Sequence, residues 1–192
     1  MTAANDLVEA LSKDRQYIND KLREQIYKCY WGYLMAVAMR YVDDRDLALM
    51  VVNDSFIKIF VSLPTFECAD PSNFGRMLKG WMAKITARTA LNELRTHKHA
   101  SLQEPLPEDQ DSRLAVASPD HLHEENVWQL INRLNPNYRK VFTLYEVEGF
   151  SHDEIAELMG ITPSSSRVYL VRAKEKLKAW YRTFMLEKHY GQ

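Results

Sequence analysis

Residues 151–180, SHDEIAELMGITPSSSRVYLVRAKEKLKAW, read as two short helices around a tight turn. Ser151 and Glu154 form a Ser-x-x-Glu capping box, in which hydroxyl and carboxylate each satisfy a backbone amide left without a partner at a helix start. A helix is therefore predicted from His152. Ile155, Leu158 and Met159 recur at helical spacing, and the small Ala156 suits a point where two crossing helices approach closely. Gly160 can take the left-handed conformation that ends a helix. Thr162 then offers an N-cap hydroxyl, and Pro163 stands at a first helical position, where its missing amide costs nothing.

On the second helix Leu170, Ala173 and Leu177 share one face. Ser164, Ser165, Arg167, Val168, Tyr169 and Arg172 are then distributed over its sides and outer surface, as a candidate reading face. Two helices in this arrangement insert the second into the DNA major groove, where Arg pairs bidentately with guanine and short hydroxyls reach base edges or phosphates. Arg167, Arg172, Lys174, Lys176, Lys178 and Arg182 oppose one acid, Glu175, so attraction to phosphate persists along the helix. A basic helix in an ordinary bundle would share the charge run, but not the combination of caps, glycine turn and small residue.

The chain has 192 residues, 46% of them hydrophobic, which is ample for a packed core in one domain or two small ones. The first twenty residues lack the basic-then-apolar pattern of a signal peptide, and no run of eighteen or more apolar residues suggests a membrane span. A cytoplasmic protein without membrane insertion is expected. Cys29 and Cys68 are too few and too far apart for a disulfide scaffold or a metal knuckle. The six histidines form no metal-ligand spacing: His121 and His123 flank the acidic segment and His97 and His99 end a basic one. No cofactor, metal or catalytic residue is expected.

A formal net charge of −1 is low for a protein that binds DNA unaided. Part of the balance lies in residues 101–120, where Glu104, Glu108, Asp109, Asp111 and Asp120 face Arg113 alone and three of the seven prolines occur. Such a composition buries too little apolar surface to offset the entropy of ordering, which predicts a linker. The expected fold is all-α, with small helical domains at 1–100 and 121–192 joined by this acidic, proline-containing segment.

Within the first unit the pattern from Lys21 to Leu63 is helical, with an aromatic span (Tyr27, Tyr30, Trp31, Tyr33, Tyr41), an acidic turn at Asp43, Asp44 and Asp46, and then DLALMVVNDSFIKIF ending before Pro64. In that helix Asn53 and Asp54 are expected to protrude. From Phe74 to His99, Arg76, Lys79, Trp81, Lys84, Arg88, Arg95 and Lys98 oppose only Glu93. Interleaved cations and rings suit single-stranded nucleic acid, because cations track phosphates and an exposed ring stacks on an unpaired base. Trp81 also shares helical spacing with Ile85, so its periodicity fits a core position equally well.

Three pieces of this chain together resemble the bacterial RNA polymerase sigma factors of the extracytoplasmic-function (ECF) type. LNPNYRKVFTLYEVEGFSHDEIAELMGI at 134–161 is similar to the family's Leu-Pro-x-x-Tyr-Arg opening, Glu-Gly-x-Ser turn and Glu-Ile-Ala-Glu helix. NDSFIKIF at 53–60 resembles its Gln-Glu-x-Phe-x-Lys-Val-Phe helix, and GWMAKITARTALNELR at 80–95 its −10 helix. The resemblance, from about Lys21 to Trp180, implies a sigma region 2-like bundle followed by a region 4-like helix-turn-helix. It implies a chain that binds core RNA polymerase (β′ clamp helices and β flap), recognises and melts promoters, starts transcription, and answers to an anti-sigma factor.

Carried over by position, Asn53, Asp54, Phe56, Ile57 and Phe60 fall in the polymerase-binding helix. Trp81, Lys84, Arg88, Asn92 and Arg95 fall in the helix that takes the −10 element as single strand. Ser164, Ser165, Arg167, Val168, Tyr169, Arg172 and Lys176 fall in the helix that meets the −35 duplex. Met50 stands where the family often has an acid, and Arg88 and Asn92 where Asn and Asp are common. Ser166 replaces an apolar residue, its hydroxyl expected to bond back to the carbonyl of Thr162. Val168 and Tyr169, at normally polar positions, imply apolar contact to thymine methyls. The competing reading is a helix-turn-helix regulator with a helical sensing domain and no stable tie to polymerase.

Overall fold

The computed structural model describes residues 19–68, 70–100 and 124–190, together with Leu7, Glu9 and Leu11; of residues 71, 97–100, 124–126 and 184–190 it describes only the backbone. The acidic segment 101–120, with His121 and His123, lies outside the described residues, as do the side chains of His97, Lys98 and His99. Among the described residues the regular structure is helical, without a strand. The chain divides into two compact units, Met1–Gln103 and Glu104–Gln192.

In the first unit, α1 (Asp20–Ala38), α2 (Arg45–Ser62) and α3 (Phe74–Ala100) pack on one another. Each of the first two starts at a side-chain cap: Asn19 accepts from the amide of Leu22 and Asp44 from that of Leu47, both at 2.8 Å. The core is Ile26, Tyr30 and Leu34 from α1, Val51, Val52, Phe56 and Ile59 from α2, and Leu78, Met82, Ala87 and Ala90 from α3. Buried hydroxyls return to their own helices: Ser55 Oγ donates to the Val51 carbonyl and Thr86 Oγ1 to that of Met82. That satisfies them without a partner helix.

By length and composition, Arg45–Thr65 passes as a membrane span, with mean hydropathy 1.6. Its packing gives another reason for that composition. The inward residues of α2 fill the core between α1 and α3, while Met50, Ile57 and Val61 align as an apolar strip on its outer side, with the exposed Leu49 to one side of it.

The second unit contains α4 (Glu124–Asn132), α5 (Pro136–Phe142), a wider π turn over Thr143–Val147, α6 (His152–Met159) and α7 (Pro163–Tyr190). Helices α4, α5 and α6 all contact α7. The second helix of the expected pair is thus long, running through Trp180 and beyond. Ser151 makes both halves of the capping box, accepting from the Glu154 amide at 3.2 Å while its own amide donates to the Glu154 carboxylate at 2.9 Å. Gly160 has φ +67 and closes α6 in the left-handed conformation, and the Thr162 hydroxyl accepts from the Ser165 amide at 3.0 Å to open α7. The capping box, the glycine stop and the Thr-Pro start are thus as expected, while the second helix is longer than the sequence suggests.

Candidate nucleic-acid interface

Ala173, Leu170 and Ser166 turn α7 toward the core, Ala173 and Ser166 having no exposed surface. With 3.6 residues per turn, Ser164, Val168, Val171 and Glu175 then lie along the opposite line. All four are exposed, Val168 by 43% and Val171 by 54%. Arg167 and Lys178 occupy one flank of that line and Arg172 and Lys176 the other. Ser165 sits at the mouth of the helix, its Oγ 2.9 Å from that of Thr162.

Tyr169 requires a correction. Its ring lies 5.4 Å from that of Tyr138 and packs on the cluster of Leu134, Tyr138 and Ala173, so it is a partly buried packing residue on the flank of α7 and not on its exposed outer line. Its step along the helix puts it beside Ala173, whereas the sequence reading had placed it with Val168. Arg172 is exposed, but its guanidinium donates to the Tyr138 hydroxyl at 3.1 Å, and Lys176 is half-buried with Nζ 5.8 Å from the Tyr138 ring centre. Both are held to one side of the helix. Val171 was not singled out by the sequence, although a helical projection anchored on Ser166 as well as Ala173 would have found it, and Glu175 and Lys178 entered only through the charge of the helix.

The expected Ser166 bond to Thr162 is replaced by another. Ser166 Oγ shares a hydrogen bond with His152 Nδ1 at 2.9 Å, which joins the first turn of α6 to α7. The imidazole is stacked on Tyr145, ring centres 4.5 Å apart, so it stands where the buried hydroxyl can reach it. Burial, and then the nearby Arg167 guanidinium, lower the imidazole below its ordinary value of 6.5, favouring the neutral ring. Lys174 and Glu146 add an ion pair of 2.6 Å between α7 and the π turn.

In the first unit, Leu78, Met82, Thr86 and Ala90 define the buried side of α3. Trp81, Lys84, Arg88, Asn92 and Arg95 follow one another at helical spacing on the other side. Arg88 and Arg95 are exposed, while Lys84 and Asn92 are partly covered. Trp81 is intermediate between the two roles open to it: its ring lies 4.9 Å from the buried Phe66 and keeps part of its surface outward. The structure therefore gathers this set on one face.

The polymerase-binding set divides. Asn53, Asp54 and Ile57 are exposed on α2, Ile57 by 63%, and Asn53 Oδ1 accepts from the Tyr27 hydroxyl at 3.2 Å. Phe56 is corrected to a core residue. It is 2% exposed, with Tyr27 at 4.6 Å on one side and the half-buried Phe60 at 5.8 Å on the other. Met50 and Val61 extend the exposed strip instead; the sequence marked Met50 only as a departure from the family's usual acid and did not mark Val61.

Comparison with known proteins places the chain in a family. Residues 124–177 match the family model for sigma-70, region 4. Over 142 residues the chain is 30% identical to the RNA polymerase sigma factor CarQ of Myxococcus xanthus, covering 72% of this chain and 77% of that one. The chain belongs to the ECF RNA polymerase sigma factors. It is also 23% identical to the ECF RNA polymerase sigma factor SigM of Bacillus subtilis, over 82% of this chain and 94% of that one. The ferric citrate uptake sigma factor FecI of Escherichia coli is 26% identical, over 79% and 86%. Among solved structures, the sigma factor RpoE in complex with the anti-sigma factor NepR, from Bartonella quintana, aligns with TM-score 0.47 at 18% identity, covering 83% of this chain and 96% of that one.

This sigma factor accordingly directs RNA polymerase to promoters and initiates transcription there. Membership in the family sets aside the reading as a regulator that works without polymerase. As a class, sigma factors are initiation factors and not enzymes. Among the described residues no group of three or more His, Cys, Asp or Glu is placed to hold a metal ion.

Proposed function

We propose that this sigma factor divides promoter recognition between two helices, α7 for the −35 duplex and the outer face of α3 for the unpaired −10 strand. The observation that carries the division is the contrast between those two surfaces. On α3, Lys84, Arg88 and Arg95 share a face with Trp81 and Asn92, opposite the core. Cations follow a phosphate chain and a partly exposed ring offers an unpaired base a stacking partner, for roughly 1 to 3 kcal/mol per base. On α7 the cations sit on both flanks of a helix whose cylinder matches the width of the major groove.

Attachment to core polymerase is assigned to the exposed strip of α2, with Asn53, Asp54 and Ile57 on the β′ clamp helices, and to the second unit on the β flap. An anti-sigma factor that held the chain inactive would cover the same strip, since Leu49, Met50, Ile57 and Val61 expose apolar surface when polymerase is absent. Residues 101–120 serve as the linker between domains at 1–100 and 121–192. The protein acts in the cytoplasm, without catalysing a reaction of its own. With a net charge of −1, each DNA site is weak alone, and affinity rises when polymerase holds both at the right separation.

Permanganate footprinting of the −10 region, with holoenzyme on duplex and premelted promoters, tests the division. Arg88→Ala and Lys84→Ala are expected to leave upstream docking nearly intact and to impair opening. A premelted template restores activity where the residue assists opening, and leaves the defect where it reads the base. Normal opening by both variants would refute the assignment of α3.

A further inference from the structure

The line of α7 that faces away from the core is neutral at its centre and basic on both sides. Val168 and Val171 occupy its middle, one turn apart, with Ser164 before them and Glu175 after. Arg167 and Lys178 lie on one flank, Arg172 and Lys176 on the other, and the Tyr138 hydroxyl holds the Arg172 guanidinium out to its side. A helix lying in the major groove presents its central line to the base edges and its two flanks to the two phosphate walls. Two exposed β-branched side chains at that centre can neither donate nor accept a hydrogen bond. The apolar group on the floor of the groove is the thymine 5-methyl.

We infer that Val168 and Val171 are the base-reading residues of α7, that each recognises a thymine methyl, and that Arg167 and Arg172 hold the phosphates on either side. The inference rests on the assignment of α7 to the upstream element and adds what that element contains. It moves apolar readout from Tyr169, whose ring is packed on Tyr138, to Val171. A protein partner is the less fitting occupant, because two valines between rows of cations make too narrow an apolar strip for a stable protein interface.

The test uses holoenzyme reconstituted from the full chain and a duplex promoter library randomised over the upstream element. Selection is expected to enrich thymine at two nearby positions. Replacing either with deoxyuridine removes one methyl and keeps every hydrogen-bonding group, and should weaken binding about three- to fourfold per position. Val168→Ala and Val171→Ala should each abolish the methyl dependence at one position. Both changes are at exposed sites and raise helix propensity, so folding is preserved. Arg167→Ala and Arg172→Ala should instead weaken all templates alike and lower the salt slope by about one each. Enrichment of a different base, or equal binding of thymine and deoxyuridine by the wild type, would overturn the valine assignment and leave upstream reading by α7 intact. Enrichment of no sequence would overturn both.

Discussion

Phe56 and Ile57 are adjacent in sequence and opposite in environment, so truncating each to Ala separates stability from polymerase binding. Phe56 is 2% exposed and its ring lies between Tyr27 and Phe60. Removing it leaves a cavity in the core of the first unit, for which large-to-small changes of Phe cost about 3 to 5 kcal/mol. Loss of the two ring contacts accounts for part of that sum, at roughly 0.5 to 1.5 kcal/mol each. Small domains are stable by only about 5 to 15 kcal/mol, so Phe56→Ala should bring the first unit close to its unfolding threshold. Ile57 is 63% exposed, and Ile57→Ala should change stability by less than about 0.5 kcal/mol. If Ile57 anchors the contact with the clamp helices, its loss costs more than about 1 kcal/mol of binding, or at least fivefold in affinity for core polymerase. Urea unfolding of each variant, followed by equilibrium binding to core polymerase, reads both quantities. A Phe56→Ala protein of normal stability that no longer binds polymerase would refute the packing argument, because the ring would then act as a contact. Normal polymerase binding by Ile57→Ala together with Met50→Ala and Val61→Ala would refute the assignment of the strip.

Acidification should loosen the second unit through His152. Its folded-state value lies below the unfolded one, so the unfolded chain binds more protons; the stability it contributes is complete above about pH 6.5 and is lost as pH falls below that value. Denaturation at a series of pH values should show this slope in the wild type and a flatter one in His152→Gln, whereas equal slopes would mean that another group titrates. Gly160→Ala should cost about 1 to 2 kcal/mol from backbone strain alone, since φ is +67 and nothing lies within 4 Å of the added carbon. Thermal melting checks it, and an unchanged midpoint would show that the turn can relax. Ser151→Ala removes one half of the capping box and should lower stability by about 1 kcal/mol in the same assay, an effect absent if Glu154 alone fixes the start of α6.

Much of the second unit was legible because its signals are local. A capping box, a glycine in the left-handed region and a Thr-Pro start act within four residues of themselves, so Ser151, Gly160 and Thr162 determine where α6 begins and ends and where α7 begins without help from the rest of the chain. The helical character of the first unit was equally readable from apolar spacing. Which side of each helix meets the core was not. Phe56 and Ile57 are both apolar and both compatible with a buried or an exposed position; the crossing of α1 and α3 over α2 buries the first and leaves the second outside. Tyr169 is packed and Val171 exposed for the same reason. Tyr138, thirty-one positions earlier, offers Tyr169 a ring to pack on, whereas nothing covers Val171. Nor does sequence proximity predict the bond of Ser166 to His152, since the Thr162 carbonyl was the nearer acceptor along the chain. Helix boundaries follow from backbone groups that must find partners nearby, while the facing of side chains follows from contacts between residues that only the folded chain brings together.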